Sequence, residues 1–179
     1  MTPSALATAT LVRLGRVTNR TFVLPLLIFY PTGRCNSRCV SCDWWKQSGA
    51  DDLTLDEIAT LASALPALGT RVVVFSGGEP LLRPEVFGAA DLFRAQGITL
   101  HLLTSGVLLE RCAERVGGHF ARVCISLDAA SAPLYEQIRG VMRWRSCAAV
   151  WRSCSAWRRA CRSRRGQRCI ARTSPSCPG

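Results

Sequence analysis

The chain has 179 residues and a mass of 19.5 kDa, is 48% hydrophobic and has a mean hydropathy of +0.14, enough for one domain with its own core and too apolar for disorder throughout. Its longest apolar run, residues 22–30, falls well short of the roughly 20 residues needed to cross a bilayer, so no transmembrane segment is expected. The formal charge of +11 would ordinarily point to nucleic acid or an anionic membrane, but residues 1–141 hold 12 Arg, one Lys and 12 acids, whereas residues 142–179 hold ten Arg and no acid.

Leucine shifts at the same point, with 21 before position 142 and none after it, and five of the ten cysteines fall in the last 38 residues. Three segments follow: an N-terminal extension over 1–21, a globular core over 22–141 and an Arg/Cys-rich tail over 142–179. The extension carries Arg13, Arg16 and Arg20 but no apolar stretch ending in a small-residue cleavage site. It therefore reads as a cytoplasmic start rather than a secretory signal, with an organelle transit peptide as the alternative. Without export, the Asn19-Arg20-Thr21 sequon is a chance match.

Residues 22–29 predict a buried strand. Thr54 and Glu57 form a capping box at the start of a helix that runs to about residue 68 and stops at Gly69. Residues 71–76 (RVVVFS) predict a β-branched buried strand. Pro84 predicts the first position of a helix ending at Gly97. A third strand over 98–103, a helix over 107–116 and a fourth strand over 122–127 follow, and Ser131 with Pro133 opens another helix. Such alternation of strand and helix implies parallel βα units with right-handed crossovers, an α/β fold.

In folds of this kind, chemistry sits on loops after the carboxyl ends of strands. The loop after the first strand carries Cys35, Cys39 and Cys42, spaced C-x3-C-x2-C. A structural zinc site would need a further pair of ligands, and Cys112 and Cys124 fall in a helix and a strand. Disulfides would need an oxidising compartment. Three neighbouring thiolates suit an iron–sulfur cluster, which normally takes four cysteines, and a missing ligand leaves an open position where a substrate can bind. After the second strand comes Ser76-Gly77-Gly78-Glu79-Pro80, whose glycines let a backbone approach something closely.

Together the cysteine triplet and the GGEP turn resemble the radical S-adenosylmethionine (radical SAM) superfamily. The resemblance implies a partial (β/α) barrel with about four βα units present. It implies a [4Fe–4S] cluster on Cys35, Cys39 and Cys42, whose open iron takes the amino and carboxylate groups of S-adenosylmethionine. Gly77, Gly78, Glu79 and Pro80 would lie at the methionine end of that cofactor. The reduced cluster would cleave the cofactor to a 5′-deoxyadenosyl radical, with an external electron donor and a small-molecule or peptide substrate that the sequence does not name. Two weaker matches are Leu103-Thr104-Ser105-Gly106, with Ser105 where relatives have Asn, and Ser126-Leu127-Asp128, with Ala129 in place of Gly. Tyr135 to Gly140 stand where relatives have H-D-x-x-R-G, with Tyr135 replacing His. Ser126 would contact the cofactor, and Asp128 reads as a helix cap or loop turn. Trp44 and Trp45, which follow the cysteine loop, read as core packing, with packing over the cluster as the alternative, and His101 and His119 read as structural.

The resemblance covers about residues 22–141, and no fifth or sixth βα unit is visible. Arg, Cys, Ser and Trp supply 24 of the last 38 residues. Arg, Cys and Trp share GC-rich CGN and TGN codons, so the tail reads as a stretch outside its native frame. On that reading the fourth strand is an open edge and the chain a truncated core with little turnover. The alternative is an evolved basic tail, with an apolar stripe from Trp144 to Cys161, that could bind nucleic acid such as RNA or an anionic membrane.

Overall fold

The computed structural model describes residues 5–129, 131–141 and 168–173. A helix, α1 (Ala5–Thr18), lies in the segment for which the sequence suggested no element. Then come β1 (Leu26–Phe29), α2 (Leu55–Ala64), β2 (Val72–Phe75), α3 (Val86–Ala95), β3 (Thr99–Thr104), α4 (Leu109–His119), β4 (Arg122–Leu127) and α5 (Ala132–Arg139). A last strand, β5 (Arg168–Thr173), comes from the tail.

The first strand is shorter than expected because Pro25 has no N–H for the ladder. Its carbonyl instead accepts from Arg71 and Val72 at 3.0 and 3.3 Å, and β1 begins one residue later. The predicted capping box forms: the Glu57 carboxylate accepts from the Thr54 N–H at 2.7 Å, and Thr54 Oγ1 accepts from the Glu57 N–H at 3.3 Å. Gly69, at φ 72°, ends the following 3-10 turn in the left-handed conformation that favours glycine. The third helix starts at Val86 rather than Pro84. Arg83 is drawn inward, donating to the Pro31 and Leu53 carbonyls, and one turn of chain separates it from the helix.

All five strands are parallel in the order β1-β2-β3-β4-β5. Consecutive strands are neighbours, with no reversal of order, which is the arrangement of a barrel segment and not of a doubly wound sheet. The open edge expected at β4 is corrected: β5 pairs along its whole length, from Arg122↔Arg168 to Leu127↔Thr173. The stripe from Trp144 to Cys161 lies outside the described residues.

Burial alternates along each strand, so the sheet has one closed face and one open face. Phe29, Val73, Phe75, Leu100, Leu102, Val123 and Ile125 pack under α2, α3 and α4. Edge-to-face ring contacts join Phe75 to Phe29 at 5.3 Å and to Phe120 at 5.2 Å. On the opposite face Ile28 is 53% exposed and Leu103 38%. The residues 71–76, read as a buried strand, are thus fully buried only at Val73 and Phe75. No described helix is long and apolar enough to cross a membrane.

Candidate functional site

Both motifs lie where the parallel sheet puts them, on loops leaving the carboxyl ends of adjacent strands β1 and β2. Two backbone hydrogen bonds tie the loops together: Gly78 N–H to the Thr32 carbonyl at 3.3 Å and Glu79 N–H to the Arg34 carbonyl at 2.8 Å. The contact explains a glycine. A Cβ at position 78 would stand 2.1 Å from the Arg34 carbonyl oxygen, so the cysteine loop itself occupies the space a side chain would need. Gly77 has φ 96°, a backbone that other residues rarely adopt.

Glu79 is 1% exposed and holds the turn from inside. Its Oε1 accepts from the Leu81 N–H at 3.2 Å and from Thr104 Oγ1 at 2.8 Å. Its Oε2 accepts from the Ser105 N–H at 2.8 Å and Ser105 Oγ at 2.6 Å. A carboxylate offers about four acceptor sites, so this one is filled by protein donors. Thr104 and Ser105, flagged in the sequence only by a weak tripeptide match, are therefore the partners that hold Glu79 across from β3. Pro80 is buried and opens the 3-10 turn Pro80–Leu82.

The far side of the cysteine loop is tied to α5. Arg38 N–H donates to the Arg139 carbonyl at 2.8 Å and Val40 N–H to the Ile138 carbonyl at 2.9 Å, one bond on each side of Cys39. These satisfy carbonyls that a helix end leaves without intrahelical partners. Arg139 Nη1 lies 3.6 Å from Cys39 Sγ, Nη2 donates to the Ser126 carbonyl at 3.1 Å, and Nε forms an ion pair with Asp128 Oδ2. Burial works against the Arg139 charge, but Asp128, Cys39 and Tyr135 favour it and raise its pKa further. Asp128, in the loop after β4, is thus an ion-pair partner, and the N-cap position of α5 belongs to Ser131. Ser126 reaches the cysteine loop through its own carbonyl and Arg139.

The three thiols are free and partly buried. Burial pushes the Cys35 thiol up, the Ser37 backbone N–H opposes this, and the charges of Glu79, Cys39 and Cys42 push it further. Among the described residues, no three His, Cys, Asp or Glu side chains are gathered closely enough to hold a metal ion. The loop nevertheless suits a thiolate-held group. Its soft donor set is three free cysteines on one short loop, with a guanidinium beside Cys39. Within the same loop, Asn36 Oδ1 and Ser37 Oγ are buried without a hydrogen-bond partner.

Trp44 and Trp45 are not core residues, contrary to expectation. Trp44 packs edge-on against Tyr30 at 5.0 Å, and Trp45, 37% exposed, lies near Arg38 and Lys46. His119 fits its structural reading, with Nδ1 2.6 Å from the Arg115 carbonyl and Nε2 3.3 Å from Asp91. His101 lies between Val74 and Arg122 on the open face.

The profile of the Radical SAM superfamily matches residues 29–163, well over half of the chain. The chain belongs to the radical SAM superfamily. It is similar to the AdoMet-dependent heme synthase of Methanosarcina barkeri, at 32% identity over 120 residues covering 65% of this chain and 34% of that protein. It is also similar to the GTP 3',8-cyclase of Pseudomonas fluorescens, at 38% identity over 113 residues covering 60% of this chain and 34% of that one. This radical SAM chain thus spans about a third of the length of these curated relatives. In fold it resembles Streptococcus suis SuiB bound to S-adenosylmethionine, with a TM-score of 0.72 and 15% identity over 96% of this chain and 39% of SuiB. The family match runs past residue 141, into the tail.

Proposed function

We propose that Cys35, Cys39 and Cys42 hold a [4Fe–4S] cluster and that the turn formed by Gly77, Gly78, Glu79 and Pro80 receives the methionine end of S-adenosylmethionine. The observation that carries this reading is the pair of backbone bonds joining the two loops, Gly78 to Thr32 and Glu79 to Arg34. They seat a backbone turn without side chains at positions 77 and 78 against the start of the cysteine loop, at the residue before Cys35. When bound and reduced, the cluster supplies the electron that splits S-adenosylmethionine into methionine and a 5′-deoxyadenosyl radical.

The protein's part is to bind and orient. Gly77 and Gly78 let the turn pack closely against the cysteine loop, and the proposed contact to the cofactor's amino group is through this turn. Glu79 fixes the turn through its four donors; direct contact between its carboxylate and an amino group would need one of those donors displaced. Ser126, at the end of β4, is the proposed further cofactor contact. An external electron donor completes the reaction, and the substrate, a small molecule or a peptide, is left open because fold does not set it. Cytoplasmic placement belongs to the same proposal, since the thiols must stay reduced. No observation favours the alternative of a nucleic-acid-binding tail.

Adding S-adenosylmethionine to the anaerobically loaded, reduced chain should change the cluster's electron paramagnetic resonance spectrum, because the cofactor would occupy its open iron. A spectrum unaffected by saturating cofactor would contradict the cofactor part of the proposal.

A further inference from the structure

Arg139 is 9% exposed, and its guanidinium has three different neighbours. Asp128 pairs with Nε, the Ser126 carbonyl accepts from Nη2, and Nη1 faces Cys39 Sγ at 3.6 Å. Two of these are ordinary strong acceptors. The third, as a neutral thiol, is a weak one. A nearly buried cation aimed at a weak acceptor is poorly used, whereas the same cation aimed at an anionic, metal-bound thiolate makes a charge-assisted contact. The backbone is arranged for that contact. The N–H groups of Arg38 and Val40, flanking Cys39, bond the last carbonyls of α5 at 2.8 and 2.9 Å. Gly140, at φ 64°, lets the chain turn away where a Cβ would stand 2.6 Å from the Arg38 carbonyl oxygen.

We propose that Arg139 is a positioning residue of the cluster site, fixing Cys39 and raising the cluster's reduction potential by donating to its sulfur. The inference rests on the proposed cluster at Cys35, Cys39 and Cys42. Hydrogen bonds to cluster sulfurs and nearby positive charge favour the more negative, reduced form. Outer-sphere partners also hold ligands in place, and their loss typically costs about 10- to 100-fold in metal affinity.

The test compares the wild-type chain with Arg139→Gln and Arg139→Lys after anaerobic loading with iron and sulfide. It reads the midpoint potential by a redox titration followed by electron paramagnetic resonance, and the rate at which a chelator strips the iron. The expected result is a more negative potential in both variants, larger in Arg139→Gln than in Arg139→Lys. Iron should be lost about 10- to 100-fold faster from Arg139→Gln. Lysine keeps a charge beside Asp128 but lacks the fork that reaches three partners at once. A purely structural role would lower the fraction of chains loaded without moving the potential of those that load, so wild-type potentials in loaded variants overturn the inference and leave the cluster proposal standing. If Arg139→Gln does not fold, Arg139→Lys decides, and a wild-type potential there overturns the inference as well. A wild-type chain that takes up no iron and sulfide defeats the cluster proposal and this inference together.

Discussion

The cysteine loop is held from two sides, and the two sides are built differently. Toward β2 and β3 it leans on Glu79, a buried carboxylate saturated by four donors from three residues. Toward α5 it leans on two backbone bonds and one arginine, with Asp128 39% exposed on its side chain. The first side is finished without any cofactor. The second offers a cation to a sulfur and is complete only when that sulfur carries charge. The β2–β3 side therefore sets the shape of the site, and the α5 side tunes what the site holds.

The largest effect is expected from breaking the finished side. Glu79→Ala strands the buried donors of Thr104 and Ser105, and each buried donor left unpaired costs about 1–3 kcal/mol. Chemical denaturation of the cluster-free chain should show that loss, or no folded protein at all; a variant within 1 kcal/mol of wild type would show that Glu79 does not hold the turn.

Gly78→Ala attacks the seam between the two loops. With the Arg34 carbonyl oxygen 2.1 Å from the added carbon, backbone must move, at a cost of about 3 kcal/mol. Cluster loading should fall with it. Unchanged stability and loading would mean that the close approach of the loops is not needed.

Gly140→Ala tests the α5 side and should be milder, about 1–2 kcal/mol for a left-handed alanine and a shifted Arg38 carbonyl. The expected pattern is a small loss of stability in the cluster-free chain and faster iron loss in the loaded one. Equal iron loss from Gly140→Ala and wild type would remove α5 from the account of the site.

The contrast between the two sides also explains what was legible in the sequence. Cys35, Cys39 and Cys42 lie within one short stretch, as do Gly77 to Pro80, so local spacing exposes both motifs. Their partners come from elsewhere: Thr104 and Ser105 from the end of β3 and Arg139 from the end of α5. Only the parallel register brings those ends together, and a single sequence does not display register. The strand-and-helix alternation was readable from periodicity and caps, whereas the early end of β1 depended on where the Pro25 carbonyl found its donors. The open face of β2 was unreadable for a related reason, since three consecutive valines look alike whether one face is covered or two. The strand β5 was hidden by composition, because the arginine excess of the tail obscured a six-residue segment that pairs with β4.

The smallest effect concerns the open face. Burial first, and Arg122 second, push the His101 pKa below its ordinary value of 6.5. The unfolded chain then binds the proton more readily than the folded one. His101 should thus leave stability intact above about pH 6.5 and reduce it as the pH falls below that value, a dependence that His101→Gln should flatten. Identical pH profiles for the two proteins would show that the open face is too well hydrated for the neighbouring arginine to matter.

The most direct test of the central claim is the iron and acid-labile sulfide content of the purified chain after anaerobic reconstitution, measured beside Cys39→Ala. The account predicts about four of each per chain for the wild type and loss of the cluster in the variant. Tight binding of zinc without sulfide, or a full complement of iron and sulfide in Cys39→Ala, would contradict it.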